Sequence, residues 1–252
     1  MEKLKVCSFN IRCPAEYDGK NYWPYRKDIV NDFIKNEGLD IICMQEVTPA
    51  VKEGFILDHP DYQFFGDFRF VPQLAHDETP LVGLKKGKFY VLEYCRKWLS
   101  FTPDVPESKF ISDTYWPRVY VELKLKDVAT GYEFYLINTH FELDDFSISQ
   151  AYLQIQNRVK ELKSLGYEVL VFGDLNNTKE FFDKYSDGTL VDLTDNLPYS
   201  FQCYGDKDKY VKIDFVMSTN KNLTVKSALR EIIKDGVYIS DHFPVVVDIE
   251  GL

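Results

Sequence analysis

The chain has 252 residues, 45% of them hydrophobic and 28% charged, with a formal net charge of −10. That composition supplies a sizeable core and excludes a disordered or fibrous polymer. The acidic balance argues against a surface that grips polyanions by bulk charge, although a local basic or metal-filled cleft is compatible with it.

Met1–Lys5 leads straight into a strand-like run, with no signal-type apolar region and no stretch long enough for a membrane, so a cytoplasmic protein without a transmembrane segment is expected. The five cysteines, Cys7, Cys13, Cys43, Cys95 and Cys203, are odd in number and lack a C-x-x-C pair. They are read as reduced, mostly buried thiols rather than a disulfide framework or zinc knuckle. No linker, repeat or composition shift divides the chain, and residues 1–252 are read as a single domain.

Leu4–Asn10 reads as a first buried strand ending in Asn10. A helix opens near Pro24, with Trp23 as an entry-packing residue, places Ile29, Val30, Phe33 and Ile34 on one face, and ends at Gly38. Asp40–Glu46 is a second buried strand whose final carboxylate needs a cation, a donor cluster or water. Phe64–Thr79 reads as a loop-rich excursion before a strand at Leu81–Leu84, and Glu78 lies at its end. Phe89–Leu99 and Arg118–Lys126 are further strands. Tyr115-Trp116-Pro117, just before the second, is read as a buried loop anchor in preference to a pocket floor.

Glu133–His140 repeats the pattern of an apolar strand with a polar tip, here His140. Ser147–Lys163 is a strong amphipathic helix, and it returns the chain to the strand Val169–Phe172, which stops at Gly173 before Asp174 and Asn176. A further strand, Lys212–Ser218, carries Asp214 inside its apolar run, where a histidine is the natural partner. Asp241-His242 sits at the mouth of a last strand.

Each polar tip alone is equally well a turn residue, since Asn, Asp and Gly dominate turns for conformational reasons. Five strands that end in Asn10, Glu46, His140, Asp174 with Asn176, and Asp241 with His242 point instead to one converged site. The N-x-T sequons at Asn176 and Asn222 favour an unglycosylated compartment, because a glycan on Asn176 would fill that site.

Ser8–Arg12, Gln45-Glu46-Val47, Asn138-Thr139-His140, Gly173-Asp174-Leu175-Asn176, Ile213-Asp214-Phe215 and Ser240–Val245 stand in this order along the chain. In these six motifs the sequence resembles the endonuclease/exonuclease/phosphatase superfamily. The resemblance implies an α/β fold, a four-layered α/β sandwich with two mixed β-sheets face to face and helices outside. It implies Mg2+ or Mn2+, with Glu46 as principal ligand and Asn10 and Asp241 as direct or water-mediated ligands. Asp174 matches the aspartate that orients or deprotonates the attacking water, and Asn176 the amide that holds the phosphate. His242 matches the histidine paired with an aspartate, here Asp214; His140 matches a second, protonated histidine. Glu78 is aligned with a carboxylate supporting His140, and Arg118 with a phosphate-contacting or structural arginine.

These matches imply in-line attack by water on phosphorus, with Asp174 or His242 as the base. The histidine at position 140 departs from the repair-endonuclease branch, which usually has asparagine there. The expected substrate is a soluble or lipid-headgroup phosphoester, diester or monoester. A nuclease acting on DNA or RNA is the second reading, and a binding protein that has lost catalysis is the third.

Overall fold

The computed structural model describes residues 3–111 and 116–252. Its first part runs β1 (Leu4–Asn10), α1 (Trp23–Glu37), β2 (Ile41–Val47), α2 (Pro49–Asp58), β3 (Tyr62–Phe65) and β4 (Thr79–Lys85). The second runs β5 (Phe89–Trp98), β6 (Val119–Asp127), β7 (Glu133–His140), α3 (Asp145–Ser164), β8 (Glu168–Asp174), α4 (Lys179–Phe182), β9 (Val191–Asp192) and β10 (Asp214–Ser218). The chain closes with β11 (Thr224–Leu229), a small hairpin of β12 (Ile233–Lys234) and β13 (Val237–Tyr238), and β14 (Val245–Glu250).

Two six-stranded sheets result, ordered β11-β14-β1-β2-β4-β3 and β5-β6-β7-β8-β10-β9. Each is mixed: β1 and β2 are parallel in one, β7 and β8 in the other, and the remaining pairs are antiparallel. A parallel pair needs a crossover, supplied by α1 and α3. Pro24 lies in the first turn of α1, and Gly38 ends it at φ 71°, where an L side chain is disfavoured. Asp144 caps α3 by accepting a hydrogen bond from Ser147 N at 2.8 Å.

The period of two along each strand divides its residues between layers. In β1, Leu4 and Val6 enter the core between the sheets, while Cys7 and Phe9 pack outward among Ile29, Phe33 and Phe55 of α1 and α2. In β8, Leu170 and Phe172 face between the sheets, and Val169 and Val171 lie under Ile148, Tyr152 and Ile155 of α3. Both faces are covered, which is why these strands read as continuous apolar runs. The architecture is the expected four-layered sandwich.

Several local expectations shift. Strand β8 includes Asp174, which pairs with Asp214 and His140, so the strand does not stop at Gly173. Strand β10 starts at Asp214, the excursion after α2 contains the end of β3, and β4 begins at Thr79. Only Cys7 and Cys43 are fully buried; Cys13, Cys95 and Cys203 are half-buried free thiols. Tyr115 lies outside the described residues. Trp116 is 42% exposed, so it is not a buried anchor. Trp23 does pack at the helix entry, edge-on to Phe55 at 6.0 Å. No helix among the described residues is long and apolar enough to cross a membrane.

Toward one edge the layer between the sheets turns polar. Asn138, fully buried, donates from Nδ2 to Met44 O at 3.0 Å and Leu81 O at 3.1 Å, and its Oδ1 accepts from Gln45 Nε2 at 2.8 Å. Replacing Asn138 with leucine strands two buried carbonyls and one amide N–H. The expected loss is about 2–4 kcal/mol of unfolding free energy in urea titrations; an unchanged midpoint and slope would show that the bridge carries no weight.

Candidate active site

The inward register that places Leu4, Val6, Leu136, Leu170, Phe172 and Val216 between the sheets continues to Asn10, His140, Asp174 and Asp214. Because β1, β2, β7 and β8 run in one direction within each parallel pair, their carboxyl ends supply Asn10, Glu46, His140 and Asp174. The antiparallel partners β10 and β14 supply Asp214 at the start of one and Asp241-His242 just before the other. One edge of the sandwich therefore collects groups from three strands of each sheet.

Asp174, nearly fully buried, is the centre. Its Oδ2 accepts from Asn10 Nδ2 at 2.9 Å and has His140 Nε2 and His242 Nε2 each at 3.6 Å. Its Oδ1 accepts from Asn176 N at 3.0 Å. Asn176 adopts φ 53° and donates its own Nδ2 to Phe141 O at 2.9 Å, closing the turn after β8. His242 Nδ1 lies 2.7 Å from Asp214 Oδ2, the histidine–aspartate pairing expected from the sequence. Burial alone would depress the His242 pKa, but Asp214 and Asp174 outweigh it and raise it to about 10. Burial, followed by the charge of Asp214, lifts Asp174 to about 7.

Glu46 breaks the register, since residue 45 of β2 faces inward. A bulge between Met44 and Val47 and a left-handed φ of 60° at Glu46 swing its carboxylate into the cleft. There Oε1 accepts from Asn10 Nδ2 at 3.0 Å and Oε2 from Cys13 N at 2.9 Å. Asn10 thus bridges Glu46 and Asp174 through its nitrogen, and its Oδ1 accepts from Arg12 N at 2.9 Å. The single Ser240 hydroxyl proton lies between Asn10 O at 2.8 Å and Asp241 Oδ1 at 3.1 Å.

Two arginines here had no role assigned from sequence. Arg12, itself at φ 57°, reaches Glu46 Oε2 at 3.8 Å and Asp241 Oδ2 at 3.9 Å, and is held by Asp18 at 3.1 Å. Arg26, fully buried on α1, donates to the carbonyls of Asn21, Ile11, Arg12 and Ile239. It fixes both the loop after β1 and the segment before Asp241. The fork of a guanidinium suits several fixed carbonyls, but nothing in a helical pattern tells a buried arginine from a surface one.

Arg118 is the residue that holds His140. Its Nη1 donates to His140 Nδ1 at 3.1 Å, and its Nε pairs with Glu142 Oε2 at 2.6 Å. Accepting at Nδ1, buried, and beside the Arg118 charge, His140 is pushed well below its ordinary pKa. Its ring is neutral, which corrects the expected protonated form. Glu78 also differs from expectation: it forms an ion pair with Arg69 Nη2 at 3.0 Å, whereas the side-chain partners of His140 are Arg118 and Asp174. It stands near Glu46 and Cys13, their ligand atoms all within 4.8 Å.

The carboxylates are more crowded than their cations balance. Burial and the charge of Glu46 push both Glu78 and Asp241 above the usual carboxylate range. A cluster of hard oxygen donors under mutual repulsion fits a Mg2+ or Mn2+ ion, and Glu46 and Asp241 present such oxygens.

The model of the Endonuclease/Exonuclease/phosphatase family matches residues 7–242. A relative, uncharacterized protein L388 of Acanthamoeba polyphaga mimivirus, is 24% identical over 270 residues, covering 98% of this chain and 100% of its own. Among solved structures, the endonuclease/exonuclease/phosphatase from Bacteroides vulgatus superposes with a TM-score of 0.89 at 28% identity, covering 99% of both chains. The mannosyl-6-phosphatase of Bacteroides thetaiotaomicron VPI-5482 superposes with a TM-score of 0.84 at 22% identity, covering 98% of this chain and all of its own.

The buried Asp214–His242 pair has a defined pH signature. A histidine whose folded pKa lies above its unfolded value stabilises fully below about 6.5, and the contribution is lost as pH rises toward 10. Asp214→Asn is expected to cost about 3–5 kcal/mol near pH 6, and the gap to the unmodified protein should narrow in denaturation curves taken toward pH 9.5. A gap that widens with pH would contradict the ion pair.

Proposed function

Since the chain belongs to the endonuclease/exonuclease/phosphatase family, whose members hydrolyse phosphoesters, we propose that it is a divalent-metal-dependent phosphoester hydrolase in which Asp174 activates the attacking water. The observation that carries this reading is the single oxygen Asp174 Oδ2, faced by Asn10 Nδ2 at 2.9 Å and by two histidine nitrogens at 3.6 Å. A carboxylate with a pKa raised to about 7 is matched to taking a proton near neutral pH.

The two histidines divide the remaining work. His242, kept protonated by Asp214, serves as a cationic donor to a phosphoryl oxygen, and its charge favours Asp174 over it as the base. His140, whose Nδ1 accepts from Arg118, carries its proton on Nε2 and presents a neutral N–H on the other side. Asn10 orients the Asp174 carboxylate, and the main-chain N–H of Asn176 fixes its second oxygen. Water adds to phosphorus, its proton passes to Asp174, the P–O bond to the leaving group breaks, and the departing oxygen takes a proton from solvent to leave as the alcohol. A Mg2+ or Mn2+ ion held by Glu46, with Asp241 and Asn10 beside it, supplies charge neutralisation at the phosphoryl group when bound.

The acidic chain favours a small phosphoester over a polyanionic nucleic acid. The mannosyl-6-phosphatase among the structural neighbours supports the monoester form of this reading. Turnover of a mono-aryl phosphate beside a bis-aryl phosphate, with Mg2+, Mn2+ or EDTA, separates monoesterase from diesterase. Asp174→Ala is expected to lower kcat at least ~100-fold in protein that still unfolds cooperatively. A variant with near-normal kcat, or turnover indifferent to EDTA, would overturn the assignment.

A further inference from the structure

Glu46 has a second side that the proposed chemistry does not use. While its Oε1 faces Asn10, its Oε2 accepts from Cys13 N at 2.9 Å. The Cys13 Sγ and carboxylate oxygens of Glu46 and Glu78 all lie within 4.8 Å of one another. Three segments supply them: the loop after β1, the bulge in β2 and the residue before β4. Arg69 keeps Glu78 in place, its Nη2 on Oε2 at 3.0 Å, and its Nε stands 3.3 Å from Asp77. Glu46, Glu78 and Thr79 also line, with Arg69, Arg118 and His140, a concavity that has room for about one water. Such a space admits a bare ion and excludes an organic ligand.

The donor set decides which ion. Mg2+ takes hard oxygen ligands and gains nothing from sulfur. Zn2+ and Cd2+ accept thiolate and carboxylate together, and a given mixed site holds Zn2+ more tightly than Mn2+. Bonds of about 2.0–2.3 Å to one tetrahedral ion hold its donors ~3.5 Å apart, so side-chain rotation of about an ångström closes this cluster. Cys13 is a free, half-buried thiol, with no disulfide to withhold its sulfur. Arg69 occupies one oxygen of Glu78, and a carboxylate has lone pairs for more than one partner.

We propose that Cys13, Glu46 and Glu78 form a site for a thiophilic divalent cation of the Zn2+ type, with water completing its shell. As the S–Zn bond forms, the S–H bond breaks and its proton leaves to solvent, so no oxidant or reductant is needed. On the reading that the chain is a metal-dependent hydrolase, Glu46 is shared with the catalytic Mg2+ or Mn2+. Zn2+ at this site then withdraws that ligand and slows turnover. Cys13 acts on which cation the centre holds and not on phosphorus.

Binding is read without turnover. Zn2+ affinity is measured by competition with a chromophoric chelator, and Cd2+ is added separately to follow the ultraviolet thiolate-to-cadmium charge-transfer band. Cys13→Ser and Glu78→Gln are each expected to weaken Zn2+ at least ~10-fold, since even the loss of a group behind a metal ligand costs that much. The band should vanish in Cys13→Ser and persist in Cys95→Ser and Cys203→Ser, which remove the other half-buried thiols. Turnover of the two aryl phosphates with Mg2+ is then followed at rising Zn2+, each variant against its own zinc-free rate. Half-inhibition should need at least ~10-fold more Zn2+ in Cys13→Ser, and added Mg2+ should relieve it. Unchanged Zn2+ affinity in both variants would overturn the site, and Mg2+-dependent turnover would leave the hydrolase reading intact. Weakening in Cys13→Ser alone would reduce the cluster to a single thiol and overturn it as well. Binding that depends on Cys13 and Glu78 in a protein that turns over neither phosphate would retain the site and sink the hydrolase reading. The same binding with Mg2+-dependent turnover unaffected by Zn2+ would overturn the sharing of Glu46.

Discussion

The bulge in β2 is the constraint on which the site depends. Regular pleating would send Glu46 outward, into the apolar layer under α1 and α2, where a carboxylate has no partner. The left-handed turn at Glu46 reverses that direction and is costly for a residue with a Cβ. It persists because its surroundings over-determine it. Asn138, from the opposite sheet, grips the carbonyl of Met44 where the bulge begins, and Asn10 Nδ2 and Cys13 N take the two carboxylate oxygens where it ends. The two sheets are thus joined at this edge by hydrogen bonds of fixed direction, whereas deeper in the sandwich they meet through Leu, Val and Phe. A directional junction is what a site assembled from both sheets requires.

Electrostatics follows from the same convergence. Glu46, Asp174, Asp214 and Asp241 lie together, and the chain answers with fixed cations whose positions are not interchangeable. Arg12 stands beside Glu46 and Asp241, His242 lies between Asp214 and Asp174, and Arg118 faces His140 from behind. One histidine therefore carries charge and the other does not, although both present Nε2 to the same oxygen at 3.6 Å. The difference lies in the partner of Nδ1: a carboxylate for His242 and a guanidinium for His140. Two identical side chains acquire different chemistry from groups one bond further away.

Part of this architecture is legible in the sequence and part is not. The individual strands and the α3 crossover were legible in apolar runs of strand length and one strongly amphipathic helix, whereas the four layers followed from the resemblance that the six ordered motifs carry. The convergence of Asn10, Glu46, His140, Asp174, Asp214 and His242 was legible too, because polar groups recur at the ends of otherwise apolar strands, although the strands that carry them belong to two sheets. Partnerships were not legible. The link of Glu78 to Arg69 rather than His140 depends on a loop whose path no periodicity encodes, and the charge of His140 depends on Arg118, far from it in the chain. Trp116 next to Pro117 carries the same local signal whether it is packed or exposed, so its exposure emerged only from the tertiary structure.

Two further devices, opposite in kind, hold the edge in place. Arg26 fills space with donors: one side chain binds four carbonyls from three segments and thereby ties α1 to the loop after β1 and to the chain before Asp241. Gly173 works by lacking a side chain. A Cβ there would lie 2.5 Å from Thr139 O, so β8 approaches β7 at that point only because the residue before Asp174 is glycine. The same approach brings Asp174 beside His140, its register partner across the parallel pair. A catalytic carboxylate placed one residue after a glycine is therefore a geometric consequence of packing two strands closely enough for their terminal side chains to share an oxygen. The Gly-Asp sequence, which taken alone signals no more than a turn, has its physical reason in the strand beside it.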